Sequence, residues 1–256
     1  MTGTLRIGSL VLCNDYRHPA LLAQEAATLD LLSGGRFELG LGAGFHRDEY
    51  ASAGIPFERH GARVERLGES IRLLKALFGD GPATDAGSHY AVSGLDGFPK
   101  PVQRPHPPLL VAGNGRRTVE TAAREADILN LMPVSTTSGS VVDDPSGRLP
   151  PVMEERIAWV RQAAGERIDR LELSTGMVLR VTDDRLGAAE AVMRERRWQG
   201  VSPEQVLEMP TVFIGTISRI VEELHCRRER YGLSYYVVPR DALDEAAPIV
   251  ERVTGA

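Results

Sequence analysis

The stretch SGGRFELGLGAGF, residues 33–45, carries glycines at positions 40, 42 and 44. A dinucleotide-binding turn needs Gly-x-Gly-x-x-Gly with a helix starting at once, whereas the polar loop FHRDEYASAG follows Gly44. Spacing by two inside a strand places all three glycines on one face, so we interpret the stretch as a strand. Glycine on such a face indicates a ligand that approaches closely or a neighbouring helix packed against it. The stretch alone leaves these two interpretations open.

Short apolar strands and amphipathic helices alternate on both sides of this stretch. The predicted strands cover residues 4–13, 36–43, 109–114, 127–132, 170–182 and 233–239. Six βα units in a row predict an α/β fold with a parallel sheet and right-handed crossovers. A doubly wound open sheet and a (β/α) barrel both fit this pattern, although a complete barrel has eight units.

Two segments interrupt the alternation. Residues 80–107 are rich in glycine and proline and predict a small insertion or hairpin. Residues 133–150 are mostly small and polar, which is typical of a mobile surface loop. Neither segment has the composition of a linker between domains, so we expect one domain over residues 1–256.

Composition excludes several classes of protein. The net charge is −5 over 256 residues, so the chain lacks the basic field of a nucleic-acid binder. No apolar run approaches the 18 residues or so of a membrane span, and the first residues lack the pattern of a signal peptide. Cys13 and Cys226 are too few for a disulfide framework. We therefore expect a cytoplasmic protein that binds neither nucleic acid nor membrane.

A second glycine turn, Gly113-Asn114-Gly115, follows a strand and precedes a helix that begins RRTVETAA. Free backbone N–H groups and the helix dipole favour an anion at such a position. We favour a phosphate site over an ordinary turn with solvated arginines. The six histidines show no metal-ligand spacing, so no metal site is expected. Asp48 and Glu49 lie just beyond the glycine strand, where solvated carboxylates are the simpler interpretation.

Four stretches in this order carry a family resemblance: LRIGSLVLCNDYRHPALLAQEAATLDLLSGGRFELGLGAG, PKPVQRPHPPLLVAGNG, AREADILNL and FIGTISRIVEEL. Together they resemble the bacterial-luciferase-like flavin monooxygenase superfamily, and within it the branch that depends on the deazaflavin coenzyme F-420. The resemblance implies a TIM (β/α)8-type barrel whose mouth holds a flat isoalloxazine or deazaflavin ring. It also implies an oxidoreductase or monooxygenase that transfers hydride to or from a small organic substrate with F-420, or alternatively FMN.

The resemblance also assigns residues. It places the end of the glycine strand beside the ring, the phosphate at the second glycine turn, and a cis peptide bond under the ring at Leu10–Val11. The expected cofactor-binding residues are Leu10, Val11, Cys13, Ala43, Gly44, Phe45, Asp48, Gly113, Asn114 and Gly115. Phe45 stands where one F-420 branch has an acidic residue, and no catalytic residue is assigned.

The sequence departs from the family's pattern at one point. The first strand here matches the family's third, so six of eight βα units are present and the family's acid–base residues have no counterpart. Three explanations are open. The sequence starts inside a longer protein, the chain is a non-catalytic binding or assembly paralogue, or a second chain completes the barrel. We expect strands 4–13 and 233–239 to flank the gap and to present apolar edges that invite pairing. A homodimer is therefore expected.

Overall fold

The structure is a computed structural model that describes residues 3–136 and 139–254. Its strands are β1 (Ile7–Gly8), β2 (Leu12–Cys13), β3 (Phe37–Gly42), β4 (Ala83–Ala86), β5 (Ala91–Leu95), β6 (Leu109–Gly113), β7 (Ile128–Leu131), β8 (Glu172–Gly176), β9 (Val178–Val181), β10 (Val212–Gly215) and β11 (Leu233–Val237). Its helices are α1 (Pro19–Ser33), α2 (Arg47–Ser52), α3 (His60–Phe78), α4 (Arg116–Glu125), α5 (Pro150–Ala164), α6 (Arg185–Arg196), α7 (Pro203–Glu208), α8 (Ile217–Tyr231) and α9 (Leu243–Val253).

The main sheet is parallel, and its strands follow the order β1-β3-β6-β7-β8-β11, with β2 also paired to β3. Strand β3 is buried along its whole length. Leu39 and Leu41 belong to the large core that the outer helices cover. The α/β fold predicted from the alternating units is confirmed.

The main sheet curls into part of a barrel. Strands β3 and β11 are four strand spacings apart, which is roughly 19 Å in a flat sheet. Nevertheless Tyr235 on β11 lies close enough to Glu38 on β3 that burial, together with the Glu38 carboxylate, raises the pKa of the tyrosine hydroxyl. Leu110, Ala112 and Ile128 form an inner cluster against which Tyr235 packs. The incomplete barrel predicted from the sequence is therefore present.

The barrel is open on one side. β1 and β11 stand at the two ends of the sheet, as expected for strands that flank a gap, and no strand of residues 3–136 or 139–254 pairs with their outer edges. Leu5, Ile7 and Leu10 are 61%, 46% and 53% exposed at the first edge. This exposure and the short pairing of β1 and β2 with β3 correct the expectation that one continuous strand covers residues 4–13.

The first predicted strand is interrupted. β1 and β2 pair with β3 two residues at a time, and between them the Ser9 hydroxyl takes the place of a backbone partner. Ser9 Oγ donates to the Gly40 carbonyl at 3.0 Å and accepts from the Gly40 N–H at 3.1 Å. The Leu10–Val11 peptide bond is cis, as the resemblance implied. The interruption turns Leu10 and Val11 toward the carboxyl end of the sheet, where both line a cavity.

The predicted strand at 170–182 was wrong in extent, since it is two strands in two sheets. β8 stays in the main sheet between β7 and β11, whereas β9 pairs with β10 in a separate parallel pair. Strand β10 was not predicted, because its four residues run directly into helix α8. Leu179 and Phe213 from the two strands share a smaller core with helices α8 and α9.

The insertion predicted at 80–107 contains the antiparallel hairpin β4–β5. The Glu69 carboxylate on α3 accepts the backbone N–H groups of Ser88, His89 and Tyr90 at 2.9, 2.8 and 3.3 Å. Despite the opposing effect of burial, these bonds lower the pKa of Glu69. The hairpin is thereby fixed to helix α3.

In the predicted loop 133–150, Ser135 and Val142 form an isolated antiparallel bridge, and a short 3₁₀ helix covers Pro145–Arg148. Thr137 and Ser138, which belong to the same prediction, lie outside the described residues. None of the described helices is long and apolar enough to cross a membrane.

Candidate active site

A cavity of about 510 Å³ opens at the carboxyl ends of the main-sheet strands. Because parallel strands end at the same edge of a sheet, residues far apart in sequence meet there. Nine of the ten predicted cofactor-binding residues line this cavity: Leu10, Val11, Cys13, Ala43, Gly44, Phe45, Gly113, Asn114 and Gly115. Its exposed lining is mostly apolar, and Met132 and Val237 add to the apolar wall.

Asp48 is the exception among the predicted residues. It lies exposed on the first turn of α2 and faces an outer groove with Ser52 and Ala53. Tyr16, His46 and Glu49 line both this groove and the cavity, so they form the boundary between the two. The expectation that Asp48 lies in the same site as the glycines is not supported by its position.

A chain of hydrogen bonds leads from the cavity wall into the protein. Cys13 Sγ lies 3.1 Å from Tyr50 Oη, and Tyr50 donates to Asp15 Oδ2 at 2.9 Å. Arg66 neutralises Asp15 at 3.0 Å. Burial raises the pKa of both the Cys13 thiol and the Tyr50 hydroxyl. Both groups are therefore protonated at neutral pH and act as hydrogen-bonding walls rather than as nucleophiles.

Gly44 allows this arrangement. Its φ of +72° lies in the left-handed region, and a methyl group at this position would lie 2.8 Å from Cys13 Sγ and closer still to the Tyr50 hydroxyl. Side chains other than glycine rarely adopt such a conformation. The alternating glycines predicted that another group approaches this face closely. At Gly44 the approaching groups are the side chains of Tyr50 and Cys13, which form the cavity wall behind the strand end.

A buried guanidinium supports the same strand end. Arg63 on α3 is 3% exposed and donates to the carbonyl groups of Ala43 at 3.1 Å and Gly44 at 3.3 Å. It also lies 4.0 Å from the ring centre of Phe57. These described partners are carbonyls and a ring rather than a carboxylate, so the positive charge of Arg63 acts on the neighbouring cavity.

The second glycine turn forms the opposite end of the cavity. Gly115 precedes α4 without any side-chain cap, so the first N–H groups of that helix remain available as donors. The Asn114 side-chain amide donates to the Val134 carbonyl and thereby holds the turn against the loop after β7. The backbone rather than the Asn114 amide nitrogen is consequently the available donor.

Two further residues at this end were not singled out from the sequence. His60, the first residue of α3, lines the cavity with Thr118, and its Nε2 lies 3.5 Å from Thr118 Oγ1. Burial and the charges of Arg63 and Arg117 lower the pKa of His60. The sequence carried no signal for His60, because 55 residues separate it from Gly115 and only the barrel brings them together.

We also searched the described residues for a group of side chains that could hold a metal ion. Within residues 3–136 and 139–254, no group of three or more His, Cys, Asp or Glu side chains is placed to hold a metal ion. The cavity therefore combines an apolar wall, glycines that leave room at two strand ends, and a cationic end at the start of α4.

Comparison with known families identifies this architecture. The model of the family described as luciferase-like monooxygenase matches residues 1–233. The chain belongs to the luciferase-like monooxygenase family. Within the family, a relative from Kineococcus radiotolerans, named F420-dependent glucose-6-phosphate dehydrogenase, is 30% identical over 202 residues, which is 78% of this chain and 56% of the relative. The FMNH(2)-dependent dimethylsulfone monooxygenase of Pseudomonas putida is 34% identical over 109 residues, 43% of this chain and 30% of that protein. The chain thus spans about half or less of these two relatives.

Solved structures of other proteins share the fold. An F420-dependent secondary alcohol dehydrogenase in complex with an F420–acetone adduct superposes with a TM-score of 0.67 at 18% identity, covering 96% of this chain and 79% of the other. Long-chain alkane monooxygenase gives a TM-score of 0.74 at 15% identity, with 98% and 70% covered. In both pairs nearly all of this chain is matched, while a fifth or more of the larger chain has no counterpart here.

Proposed function

We propose that residues 1–256 act as one luciferase-like barrel domain that binds a deazaflavin or flavin and transfers hydride to or from a small organic substrate. The observation that carries the proposal is the shape and charge of the cavity. Its apolar walls and glycine strand ends suit a flat ring, and its cationic end beside Gly115 suits a phosphate. Relatives that use F420 and relatives that use FMN support the same class of cofactor.

The cofactor would supply the hydride chemistry, and the protein would supply position and environment. Leu10, Val11 and Met132 would cover the ring and exclude water. The N–H groups at the start of α4 would hold the phosphate, with His60 beside them. The hydrogen-bonded pair of Cys13 and Tyr50 would keep the edge of the ring in place without ionising.

We further propose that coenzyme F-420 is preferred over FMN and that the protein is a cytoplasmic homodimer. The F420-dependent relative matches a much longer part of this chain than the FMNH(2)-dependent relative does, 78% against 43%. The cavity supports a protein that binds a cofactor, and relatives that are a dehydrogenase and a monooxygenase support an enzyme rather than a paralogue that only binds or assembles. The open barrel edge supports association.

Titration of the purified protein with F-420 and with FMN tests the cofactor. Fluorescence quenching of each ligand gives its dissociation constant. We expect the dissociation constant of F-420 to be the lower of the two. An FMN dissociation constant tenfold below that of F-420, about 1.4 kcal/mol, would reverse the preference. If neither ligand binds, the proposed function is wrong. Mass spectrometry of small molecules carried by protein from an F-420-producing host provides an independent check.

Substitution at the second glycine turn tests the phosphate site. Gly113→Val should abolish cofactor binding, but a side chain at Gly113 meets Thr118 Cγ2 at 2.5 Å and would also displace helix α4. Gly115→Ala separates the two effects, since Gly115 has an ordinary φ of −77° and its added methyl lies 3.7 Å from His60 Nε2. We therefore expect Gly115→Ala to keep the melting temperature and to weaken F-420 binding about tenfold.

The matched control is Gly147→Ala, because a methyl at Gly147 meets nothing within 4 Å and lies away from the cavity. It should leave both the melting temperature and the titration unchanged. Unaltered F-420 and FMN binding in both Gly113→Val and Gly115→Ala would place the phosphate elsewhere.

A further inference from the structure

His60 occupies an unusual position for a titratable group. It begins helix α3 yet lies across from the start of helix α4, where Gly115 and Thr118 are its neighbours. Its Nε2 is 3.5 Å from Thr118 Oγ1, and the ring forms part of the cavity wall. Any anion that accepts hydrogen bonds from the free N–H groups of α4 would therefore also contact the imidazole ring of His60.

The surroundings keep His60 neutral when the cavity holds no anion. Two positive charges act on it, Arg63 from its own helix and Arg117 from α4. The positive end of the α4 dipole, like the two arginines, disfavours a protonated His60 ring. Although His60 is partly exposed to solvent, desolvation is the main cause that lowers its pKa below the usual value near 6.5, and the two arginine charges lower it further. A phosphate would reverse the balance, because its negative charge offsets both arginines and accepts a hydrogen bond from a protonated ring.

We propose that His60 takes up one proton from solvent when a phosphate-bearing cofactor binds, so that cofactor affinity depends on pH through this residue. This inference rests on the proposed function and adds a residue and a regulation to it. The bound proton forms an N–H bond on the imidazole, which donates to a phosphate oxygen, and no other bond changes. Acidification from pH 8 toward pH 6 therefore tightens binding.

The sign and size of the effect follow from linkage. His60 is neutral at pH 7 in the free protein and protonated in the complex, so binding and protonation favour one another between the free and the bound pKa. Each unit by which the phosphate raises the pKa of His60 strengthens binding tenfold at low pH relative to high pH. We expect about a tenfold difference in dissociation constant between pH 6 and pH 8.

Calorimetric titration in two buffers of different ionisation enthalpy measures the proton directly. At pH 7 we expect F-420 and FMN to bind with net uptake of about half a proton, which is the average that a tenfold change over two pH units requires. Riboflavin, which has the ring of FMN without its phosphate, should bind without uptake. His60→Gln should remove the uptake and flatten the pH dependence to that of the phosphate itself, whose second pKa is near 6 in a monoester.

The matched control is His225→Gln, because His225 is exposed on α8 and lies outside the cavity. It should bind with unchanged proton uptake. Should His60→Gln fail to fold by circular dichroism, the imidazole resonance of His60 in the parent protein decides instead. Its pKa should rise on saturation with F-420 or FMN.

The outcomes separate the two proposals. Phosphate-bearing ligands that bind without proton uptake, or with uptake that persists in His60→Gln, would overturn the role of His60 and leave the proposed function intact. If neither F-420 nor FMN binds at any pH between 6 and 8, the proposed function fails and this inference fails with it.

Discussion

Replacing Gly40 with alanine is expected to lower the free energy of unfolding by about 3 kcal/mol or more. An added methyl group would lie 2.9 Å from the Ser9 carbonyl carbon and closer still to its oxygen, and 3.1 Å from Val11 Cγ1. None of these atoms is the end of a flexible side chain. Relief therefore requires β1 and the Ser9–Val11 segment to move off β3, which breaks both hydrogen bonds between Ser9 and Gly40.

Urea unfolding followed by circular dichroism measures this loss, with Gly176→Ala as the control. Gly176 is also a strand glycine, but a methyl there meets nothing within 4 Å. We expect Gly176→Ala to be neutral or slightly stabilising, because alanine reduces the entropy of the unfolded chain. Equal stability of the two variants would show that the contact between Ser9 and β3 is not needed for folding.

The second large expected effect is self-association of the chain at the open edge of the barrel. We expect light scattering at micromolar concentration to give a mass near twice the chain mass of 27.9 kDa. Buried backbone groups without partners cost roughly 1–3 kcal/mol each, and exposed strand edges with apolar side chains recruit another chain. Leu5 and Ile7 are more than 40% exposed beside such an edge. Two-fold pairing is the commonest way to cover it.

A lysine at Ile7 tests the assignment of this edge. Ile7→Lys should shift the scattering mass toward the monomer, because a charged side chain on an edge strand opposes pairing. Leu186→Lys is the control, since Leu186 is 49% exposed on α6, away from the edge. A parent protein that is monomeric and melts cooperatively would contradict the expectation and would mean that the chain covers its own edges.

The alternating units could be predicted from the sequence because they depend on local patterns. Apolar runs and helical periodicity defined six βα units but left a doubly wound sheet and a barrel open. The barrel and the two strands that flank its gap were implied by the family resemblance. The glycine strand is the clearest case. Period two at residues 40, 42 and 44 indicated close approach on one face, and the Ser9–Val11 segment lies against the first two of these glycines.

Features that depend on distant partners were not predictable in the same way. An apolar run such as 170–182 does not reveal that its two halves pair with different strands. Likewise, Ser9 gave no indication that its hydroxyl would replace a strand partner, because that role exists only beside Gly40. His60 meets Gly115 through the barrel alone, and the exposed position of Asp48 follows from the turn of helix α2.

The hairpin that Glu69 fixes has a mechanical consequence for the cavity. Tyr90, at the tip of the hairpin, accepts from Asn14 Nδ2 at 3.3 Å and meets the ring of His18 edge-on with 5.2 Å between ring centres. Asn14 follows Cys13 directly, so the hairpin braces the cavity wall although none of residues 83–95, all of them described, lines the cavity. Tyr90 therefore connects the insertion to the cavity wall. A substitution in the insertion that displaces Tyr90 is expected to shift the wall at Asn14 and Cys13 while every residue that lines the cavity keeps its identity.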